Sequence, residues 1–403
     1  MIQKRTNPFI VPILTLGVFG IINTEMGVVG MIPTIAETFG VSVPEAGWTV
    51  TIFAIIIALC GPVTPMLFSR FNRKAVMLLA LGVFVATTAA SAFVENFSAL
   101  LVLRAIPAFL HPVYVSMAFT VAAASVPKNE GPKAVARIFI GVSAGMVLGV
   151  PAASFIASEF SYSAAMAFFS AVNALVLLLT LIFVPSLPVK NALTYGEQLR
   201  VLKRPSLWIA VAAVVFTNGT TFGFFSYLAD FLKTVTGFDY AMVSVVLFIY
   251  GATNILGNML AGKLLAQSPL PTIRWTPAAL ALSLGLLWLF GGNSFGMTAA
   301  VAVFGILTGL SSNNSQYLIS DASRDAPEFG NGLFLSCANS GTAAGTAFCG
   351  LFIDRFGIEA AIAGAILFLA AAAAAVLMAT AEARRMPQPV TGAARNRSEA
   401  AGL

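Results

Sequence analysis

The chain has 403 residues, of which 58% are hydrophobic and 9% are charged, and its formal net charge is +6. This composition argues against a water-soluble globule, because too little polar surface is available to cover one, and it predicts apolar helices in a lipid bilayer. The basic residues are dispersed over many short segments and form no stripe with interleaved aromatics, so nucleic acid is not expected as a partner.

Twelve continuous apolar runs are the predicted elements. A helix needs about 20 apolar residues to cross a hydrocarbon core roughly 30 Å thick, and the runs have about that length. They lack the alternation of membrane strands, so helices are predicted throughout. In chain order the predicted spans are 9–33, 46–68, 75–93, 98–122, 137–158, 164–184, 206–231, 240–265, 276–292, 296–320, 330–353 and 360–382.

Basic residues orient these spans. If the runs cross the bilayer alternately, all but three of the 22 Lys and Arg residues lie on one side, the exceptions being Arg104, Lys233 and Arg355. Basic segments are retained on the cytoplasmic side of a membrane. Both chain ends are therefore predicted to be cytoplasmic.

The longest polar interruption divides the runs into two sets of six. We predict a first bundle over 1–184, a cytoplasmic linker over 185–205, a second bundle over 206–383 and a cytoplasmic tail over 384–403. The tail is polar and rich in alanine, a composition that predicts disorder.

The two sets of six have features of an internal repeat. Segment 65–69 resembles segment 262–266 at an offset of 197 residues, and Gly145 recurs as Gly341 at an offset of 196. A duplicated six-helix unit places a substrate site between its halves, near the membrane midplane. A solute transporter is therefore the predicted class of protein.

Four stretches carry a resemblance to the major facilitator superfamily that extends over essentially the whole chain. They are 23–33, 65–74, 104–111 and 141–151. Within the superfamily the chain is most similar to the twelve-span drug/proton antiporter group, and there to the bacterial sugar-efflux (arabinose-efflux-permease-like) and purine-ribonucleoside-efflux branches. The resemblance implies an all-α membrane protein with twelve transmembrane helices in two pseudo-symmetric six-helix bundles. It also implies a bacterial inner membrane and a central cavity lined by spans 1, 4, 7 and 10.

The short loop after span 2 carries Arg70, Arg73 and Lys74. Its basic residues orient the neighbouring spans in any case. The loop also resembles the cytoplasmic gate that holds the two halves of the superfamily together when the cavity opens outward. Ser69 stands where the family usually has Asp, so we expect a weakened charge latch to which Arg70 and Arg73 still contribute.

Glu25 lies well inside span 1, where an acid costs about 2.5 to 3.5 kcal/mol on insertion scales and normally faces a cavity or a partner. Arg104 in span 4 has comparable depth, since a rise of 1.5 Å per residue puts both roughly 9 to 12 Å below the outer surface. We therefore expect the two side chains to meet. In one interpretation Glu25 binds the coupling proton and Arg104 tunes it, because a moving cation changes how readily a buried carboxyl holds a proton. In the other, they form a static ion pair.

His111 is the only histidine and lies seven residues after Arg104, on the same helical face. Histidine titrates near neutral pH, which makes His111 a candidate proton carrier or a hydrogen-bond donor to substrate. The alternative is that His111 only packs within an apolar helix. A single histidine without nearby cysteine or paired carboxylates cannot form a zinc site, so no metal is expected.

A strip of small residues runs along span 5. Gly141, Gly145 and Gly149 are spaced by four residues and allow close approach of another helix, before Pro151 interrupts the helical hydrogen bonding. By resemblance, this strip corresponds to the span 5 signature of antiporters. It favours export by exchange.

Uncharged polar and aromatic residues are predicted to line the substrate path. Amides and hydroxyls in lipid also commonly bridge helices, which is the alternative. If they face the cavity, they suit a neutral polar or amphipathic solute such as a sugar, nucleoside or drug. The 197-residue offset places Phe222 opposite Glu25. The predicted residues are Asn23, Thr24, Tyr114, Asn218, Thr221, Phe222, Phe225, Thr308, Ser312, Asn313 and Gln316.

These observations predict a proton-coupled exporter that acts by alternating access, as a monomer in the lipid bilayer. No organic cofactor is expected, and the coupling ion is H⁺. The sequence lacks a phosphate-binding GxxxxGK[ST] loop and a catalytic triad, which argues against an ATP-driven pump and a hydrolase. A proton-coupled importer of the same fold is one alternative, and an integral-membrane lipid-processing enzyme is another.

Overall fold

The computed structural model describes residues 8–189 and 193–385, and these residues form helices and connections without a strand. The remaining residues, including most of the predicted tail, lie outside the described part. Helices occupy all twelve predicted span positions. They are α1 (Ile10–Met26), α2 (Trp48–Cys60), α3 (Arg73–Ser91), α4 (Phe97–Ala124), α5 (Gly131–Glu159), α6 (Tyr162–Phe183), α7 (Pro205–Phe225), α8 (Tyr240–Gln267), α9 (Pro269–Leu289), α10 (Ser294–Ala322), α11 (Pro327–Phe356) and α12 (Ala361–Arg385).

Shorter helices flank several of these. In the described part they are the α-helices Ile32–Phe39, Val43–Ala46, Val63–Phe68, Tyr195–Leu199 and Leu228–Thr234, and the 3₁₀ turns Gly27–Met31, Lys128–Glu130, Arg200–Lys203 and Ile358–Ala360.

Ten helical stretches within the described residues are long and apolar enough to cross a membrane. The other two positions are α2, which has 13 residues, and α11, which has 30. The helix α2 is interrupted at Gly61 and Pro62 and is followed at once by Val63–Phe68. The helix α11 contains many glycine, serine, threonine and asparagine residues, which lower its hydropathy. The count of twelve spans therefore depends on accepting these two as spans.

Local sequence explains where several helices begin. The Asn72 side chain accepts from the backbone N–H of Lys74 at the start of α3, and Asn96 and Asn293 cap α4 and α10 in the same way. A side-chain oxygen at this position satisfies an N–H group that has no partner inside the helix.

In each half the first helix packs against the fifth and sixth helices of that half. In the first half α1 packs against α5 and α6, and in the second half α7 packs against α11 and α12. Glycines bring α5 close to α1 and α11 close to α7. A Cβ on Gly145 would lie 2.9 Å from the Ile22 side chain and 3.1 Å from the backbone oxygen of Phe19, and one on Gly341 would collide with the backbone of Val215. Gly341 and Val215 lie 196 residues after Gly145 and Phe19, respectively. The helix contacts therefore repeat between the halves, as the sequence does.

The two halves meet through α5 against α8, and through α2 and α4 against α11. We define the basic end of the molecule by the segments 69–74, 193–204 and 321–328. The hydrogen bonds that join α5 with α8, and α2, α3 and α4 with α11, lie between the middle of the helices and this basic end. The molecule is therefore closed at the basic end.

The linker packs onto the basic end. Its helix Tyr195–Leu199 begins with a capping box, in which Thr194 and Glu197 exchange hydrogen bonds. The backbone N–H of Thr194, and then its hydroxyl, hold the pKa of Glu197 below its usual range. Val201 of the linker is buried among Met66 after α2 and Phe329 of α11, so an apolar cluster joins the linker to both halves.

Candidate functional site

Glu25 and His111 form a buried pair between α1 and α4. The carboxylate Oε2 lies 3.0 Å from the imidazole Nε2, within ion-pair distance although without hydrogen-bond geometry. The residues are 6% and 3% exposed. Phe53 of α2 stands edge-on to the imidazole at 5.8 Å between ring centres. Two groups that can carry or lose a proton are thus held together in an apolar enclosure.

Arg104 is buried beside this pair, and its guanidinium bonds to backbone oxygens. It donates to the carbonyl of Thr24 at 2.8 Å and to those of Glu25 and Thr49 at 3.2 Å each. It also lies over the ring of Phe53, 4.9 Å from its centre. The expected contact between the guanidinium and the Glu25 carboxylate is therefore corrected: the ion-pair partner of the carboxylate is His111.

Three other predicted residues of the first half lie inside its bundle. Asn23 is fully buried against α5, and both polar atoms of its side chain lack a hydrogen-bond partner. Thr24 accepts from Asn173 of α6 at 2.8 Å. Tyr114 is fully buried with its hydroxyl against Gly17 of α1. In this conformation these side chains pack between helices of one half and do not lie between the halves.

In the second half, the small polar residues bond within their own helices. The Asn218 amide donates to Val214, the Thr221 hydroxyl to Thr217, and the Ser312 hydroxyl to Thr308, in each case to a backbone oxygen. Thr308 does the same with Phe304. The contact offset of 196 residues makes Thr221 the counterpart of Glu25, which corrects the assignment of Phe222 by one position.

Aromatic rings form a patch at the outer part of the second half. Phe225 stacks on Tyr250 of α8 with ring centres 4.5 Å apart, and Phe222 meets Phe225 edge-on at 6.3 Å. Phe222 and Phe225 are half-buried. The structure thus brings Phe222 and Phe225, both predicted to line the substrate path, into one patch with Tyr250.

Asn313 and Gln316 of α10 bridge helices. Asn313 donates to Asn258 of α8 at 2.8 Å, and Gln316 donates to Asn331 of α11 at 2.7 Å. Asn331 in turn donates to the Thr120 hydroxyl in the first half at 3.1 Å. Asn313 and Gln316 therefore bridge helices, as in the alternative to a cavity-lining role, and the chain of hydrogen bonds through Asn331 extends into the first half.

The charged contact between the halves at the basic end is made by Arg73. Its Nε donates to Glu328 Oε1 at 3.0 Å, and the Glu328 side chain is 8% exposed. The Ser116 hydroxyl donates to the backbone oxygen of Glu328 at 2.8 Å. The start of α11 is therefore held against α3 and α4 of the other half.

The other three predicted gate residues form hydrogen bonds with the linker or with their own half. Ser69 accepts from Gln198 of the linker at 2.8 Å, and Arg70 donates to the backbone oxygen of Leu193 at 3.2 Å. Lys74 donates to the backbone oxygen of Leu181 in α6 at 2.8 Å. With serine at position 69, the linker supplies the hydrogen-bond partner at this corner of the gate.

The glycine strip of α5 lies against α1. A Cβ on Gly141 would collide with the backbone of Thr15, and one on Gly149 with the Asn23 side chain. Pro151 lies inside α5 and is exposed on the surface of the protein chain. The strip is thus a helix-packing surface within the first half.

Comparison with known proteins identifies the family. The profile of the Major Facilitator Superfamily matches residues 14–346. The chain belongs to this superfamily. This confirms the resemblance and the all-α membrane fold of the superfamily, and it makes the protein a membrane transporter rather than an enzyme.

Two bacterial proteins illustrate the similarity of sequence. The inner membrane transport protein YdhP of Escherichia coli K12 is 27% identical over 382 residues, which cover 94% of this chain and 96% of YdhP. A Mannheimia succiniciproducens protein named "Probable sugar efflux transporter" is 24% identical over 355 residues, covering 88% of this chain and 89% of the relative. Among solved structures, the E. coli fucose:proton symporter FucP has a TM-score of 0.76 at 15% identity, covering 93% of this chain and 99% of FucP.

Several residues that shape the site of this superfamily member were not predicted. Glu328 and Gln198 complete the gate, and Asn254 and Asn258 lie between the halves. The two asparagines are four residues apart in an apolar helix, a spacing that could have flagged a polar face on α8. Glu328 is an acid two residues before the predicted span 330–353, on the side of the basic loops, and this position could also have been noticed in the sequence.

Proposed function

We propose that this transporter exports a small neutral or amphipathic solute in exchange for protons, by alternating access. The buried pair of Glu25 and His111 is the observation that carries the proposal. An acid and a histidine in a membrane helix bundle mark an ion path by default, because burying them without a function is costly. The pair lies on α1 and α4, two helices that the superfamily resemblance assigns to the central cavity.

The charges of the pair supply the coupling. With Glu25 ionised and His111 protonated, each compensates the other, and Arg104 is stabilised by three backbone oxygens. A proton added to Glu25 leaves two buried cations beside a neutral acid. That arrangement is unfavourable in an apolar enclosure, so the proton leaves or α1 and α4 rearrange to admit water. Proton binding and helix movement are thereby linked.

Closure at the basic end supports alternating access with this end in the cytoplasm. Arg73 and Glu328 hold the halves together there, which closes the path from this end in the present conformation. Protons then reach Glu25 from outside, and solute loads when the basic end opens. The name of the sugar efflux relative supports export, and the uncharged site residues support a neutral solute. Expected features are a bacterial inner membrane, cytoplasmic chain ends, a monomeric protein and no organic cofactor.

The test is transport in proteoliposomes with an imposed pH gradient, using a panel of sugars, nucleosides and amphipathic drugs. We expect the native protein to move at least one solute against the proton flow. In Glu25→Gln the gradient-driven component should fall at least tenfold, because the neutral amide cannot load a proton. Exchange of labelled for unlabelled solute without a gradient should persist.

Glu37→Gln is the matched control, since Glu37 is an exposed acid near the outer end of the same half. It should transport like the native protein. Normal gradient-driven exchange by Glu25→Gln would contradict the proposed coupling. Solute movement in the direction of the proton flow would instead identify an importer.

A further inference from the structure

A cluster of amide and hydroxyl side chains joins the halves at the middle of their interface. The Ser143 hydroxyl on α5 lies 2.6 Å from Asn254 Oδ1 and accepts from Asn258 Nδ2 at 2.8 Å, both on α8. Asn258 Oδ1 accepts from Asn313 Nδ2 on α10 at 2.8 Å. Ser143, Asn258 and Asn313 are more than nine-tenths buried. We call these four residues the amide cluster.

The three asparagines are held on one rigid unit. A Cβ on Gly257 of α8 would collide with the backbone of Ile306 in α10, and one on Gly309 of α10 would collide with the backbone of Asn254. Helices α8 and α10 thus touch along their backbones, which fixes the asparagines relative to each other. Ser143 belongs to the other half. Opening the basic end must therefore separate one hydroxyl from a preorganised set of three amides.

That separation removes partners from the amides. Asn258 Nδ2 loses Ser143 and the backbone oxygen of Phe139, which is 3.3 Å away, and keeps only the Asn254 Oδ1 of its own helix at 3.3 Å. Asn313 Oδ1 is buried and already lacks a partner in the closed arrangement. Buried donors and acceptors without partners are costly, so either water or a solute must bond to them when the interface opens.

The cluster offers donors and acceptors without a formal charge. Hydrogen bonds to it come from amides, a hydroxyl and backbone oxygens, and no ionised side chain takes part among the described residues. Each amide presents both a donor and an acceptor, which matches neighbouring hydroxyl groups of a sugar ring. Charged solutes would be left without a counter-charge at this position.

Building on the function proposed above, we infer that the amide cluster is a loading subsite for the hydroxyl groups of a neutral sugar ring. The subsite is accessible when the basic end is open. On closure Ser143 and the Phe139 carbonyl bond to the amides again, so the ring loses its partners and is released on the opposite side. The same amide groups thus bond first to the solute, when the basic end is open, and then to Ser143 and Phe139, when it closes.

The experiment uses protein reconstituted in liposomes and measures how strongly added compounds compete with the transported solute. Free ribose and adenosine are each compared with their singly deoxygenated analogues, added on either side of the membrane. The native protein should prefer the fully hydroxylated member on the basic-end side by about threefold to tenfold. Asn258→Leu should lose this preference. Asn314→Leu is the matched control, because Asn314 is a buried α10 amide that bonds to Thr276 within one half.

Ser143→Ala provides a milder second variant that removes one oxygen atom. Because closure then restores fewer bonds to the amides, solute affinity on the side opposite the basic end should rise about threefold or more. Ser311→Ala, which removes a buried hydroxyl bonded to its own helix, should leave that affinity unchanged.

The ribose and adenosine arms show whether the ring is recognised free or within a nucleoside. The proposed subsite is refuted if Asn258→Leu keeps the native preference, or if Ser143→Ala leaves the solute affinity unchanged on both sides. In that case, gradient-driven transport by the native protein would still support the proposed exporter. Absence of gradient-driven transport of every solute by the native protein would instead overturn the proposed function.

Discussion

Arg104 illustrates at the scale of single residues how a charge is kept inside a membrane protein. Its three nitrogens bond to three carbonyl oxygens on α1 and α2, a geometry that a planar guanidinium can satisfy and an ammonium cannot. Depth in the helices correctly indicated that Glu25 and Arg104 lie close together. The choice of His111 as partner depends on side-chain directions that spacing along one helix does not provide.

Arg104→Lys should therefore destabilise the protein. A lysine cannot reach all three oxygens at once, so at least one buried acceptor loses its partner, at a cost of about 1 to 3 kcal/mol in the free energy of unfolding. The measurement is thermal unfolding of the purified protein. Arg200→Lys, at an exposed linker position, should leave the melting temperature unchanged. Equal melting temperatures for both variants would contradict this account of Arg104.

At the scale of helices, glycine determines where the elements touch. The glycines of α5 and α11 pack against α1 and α7 at equivalent positions, so the repeat noticed in the sequence is a repeat of contacts. Another close crossing joins the halves, where Gly61 at the end of α2 meets Gly332 of α11 backbone to backbone. The sequence contains 34 glycines and could not show which of them lie between the halves.

Gly332→Ala should open the basic end. The added Cβ would collide with the backbone oxygen of Gly61, and neither backbone can yield without moving α2 away from α11. We expect a larger distance between nitroxide labels at Phe71 and Arg324, measured by pulsed electron spin resonance in a cysteine-free background. Gly285→Ala is the control, because a Cβ on Gly285 would meet no atom within 4 Å. An unchanged distance distribution in Gly332→Ala would refute this role for the crossing.

On the scale of the whole molecule, closure combines a buried ion pair, a linker and the amide cluster. The Arg73 and Glu328 side chains are 25% and 8% exposed in their pair, whereas the Arg204 and Asp325 side chains are 44% and 67% exposed in theirs. Exposed pairs contribute little to stability, while removing one partner of a buried pair leaves an uncompensated charge. The first pair should therefore determine how long the basic end stays closed.

Glu328→Gln should increase the population open at the basic end at least tenfold, because Arg73 loses its buried counter-charge. The same label distances measure this population. The double exchange of Arg73→Glu with Glu328→Arg should restore much of the closed state. Arg204→Ala, which breaks the exposed pair, should change the population little. Equal effects of Glu328→Gln and Arg204→Ala would show that the buried pair has no special part in closure.

The sequence by itself determined the membrane class and the positions of the long helices, because apolar run length follows directly from the physics of a bilayer. The superfamily was recognised from the resemblance of four short stretches. The sequence also located Glu25, Arg104, His111 and Arg73, since charged groups in or beside apolar runs are few. Only the tertiary structure decided the partners of these groups. Whether Glu25 faces Arg104 or His111, and whether Asn313 bridges helices, depends on rotations and crossings of helices distant in sequence, which no local pattern encodes.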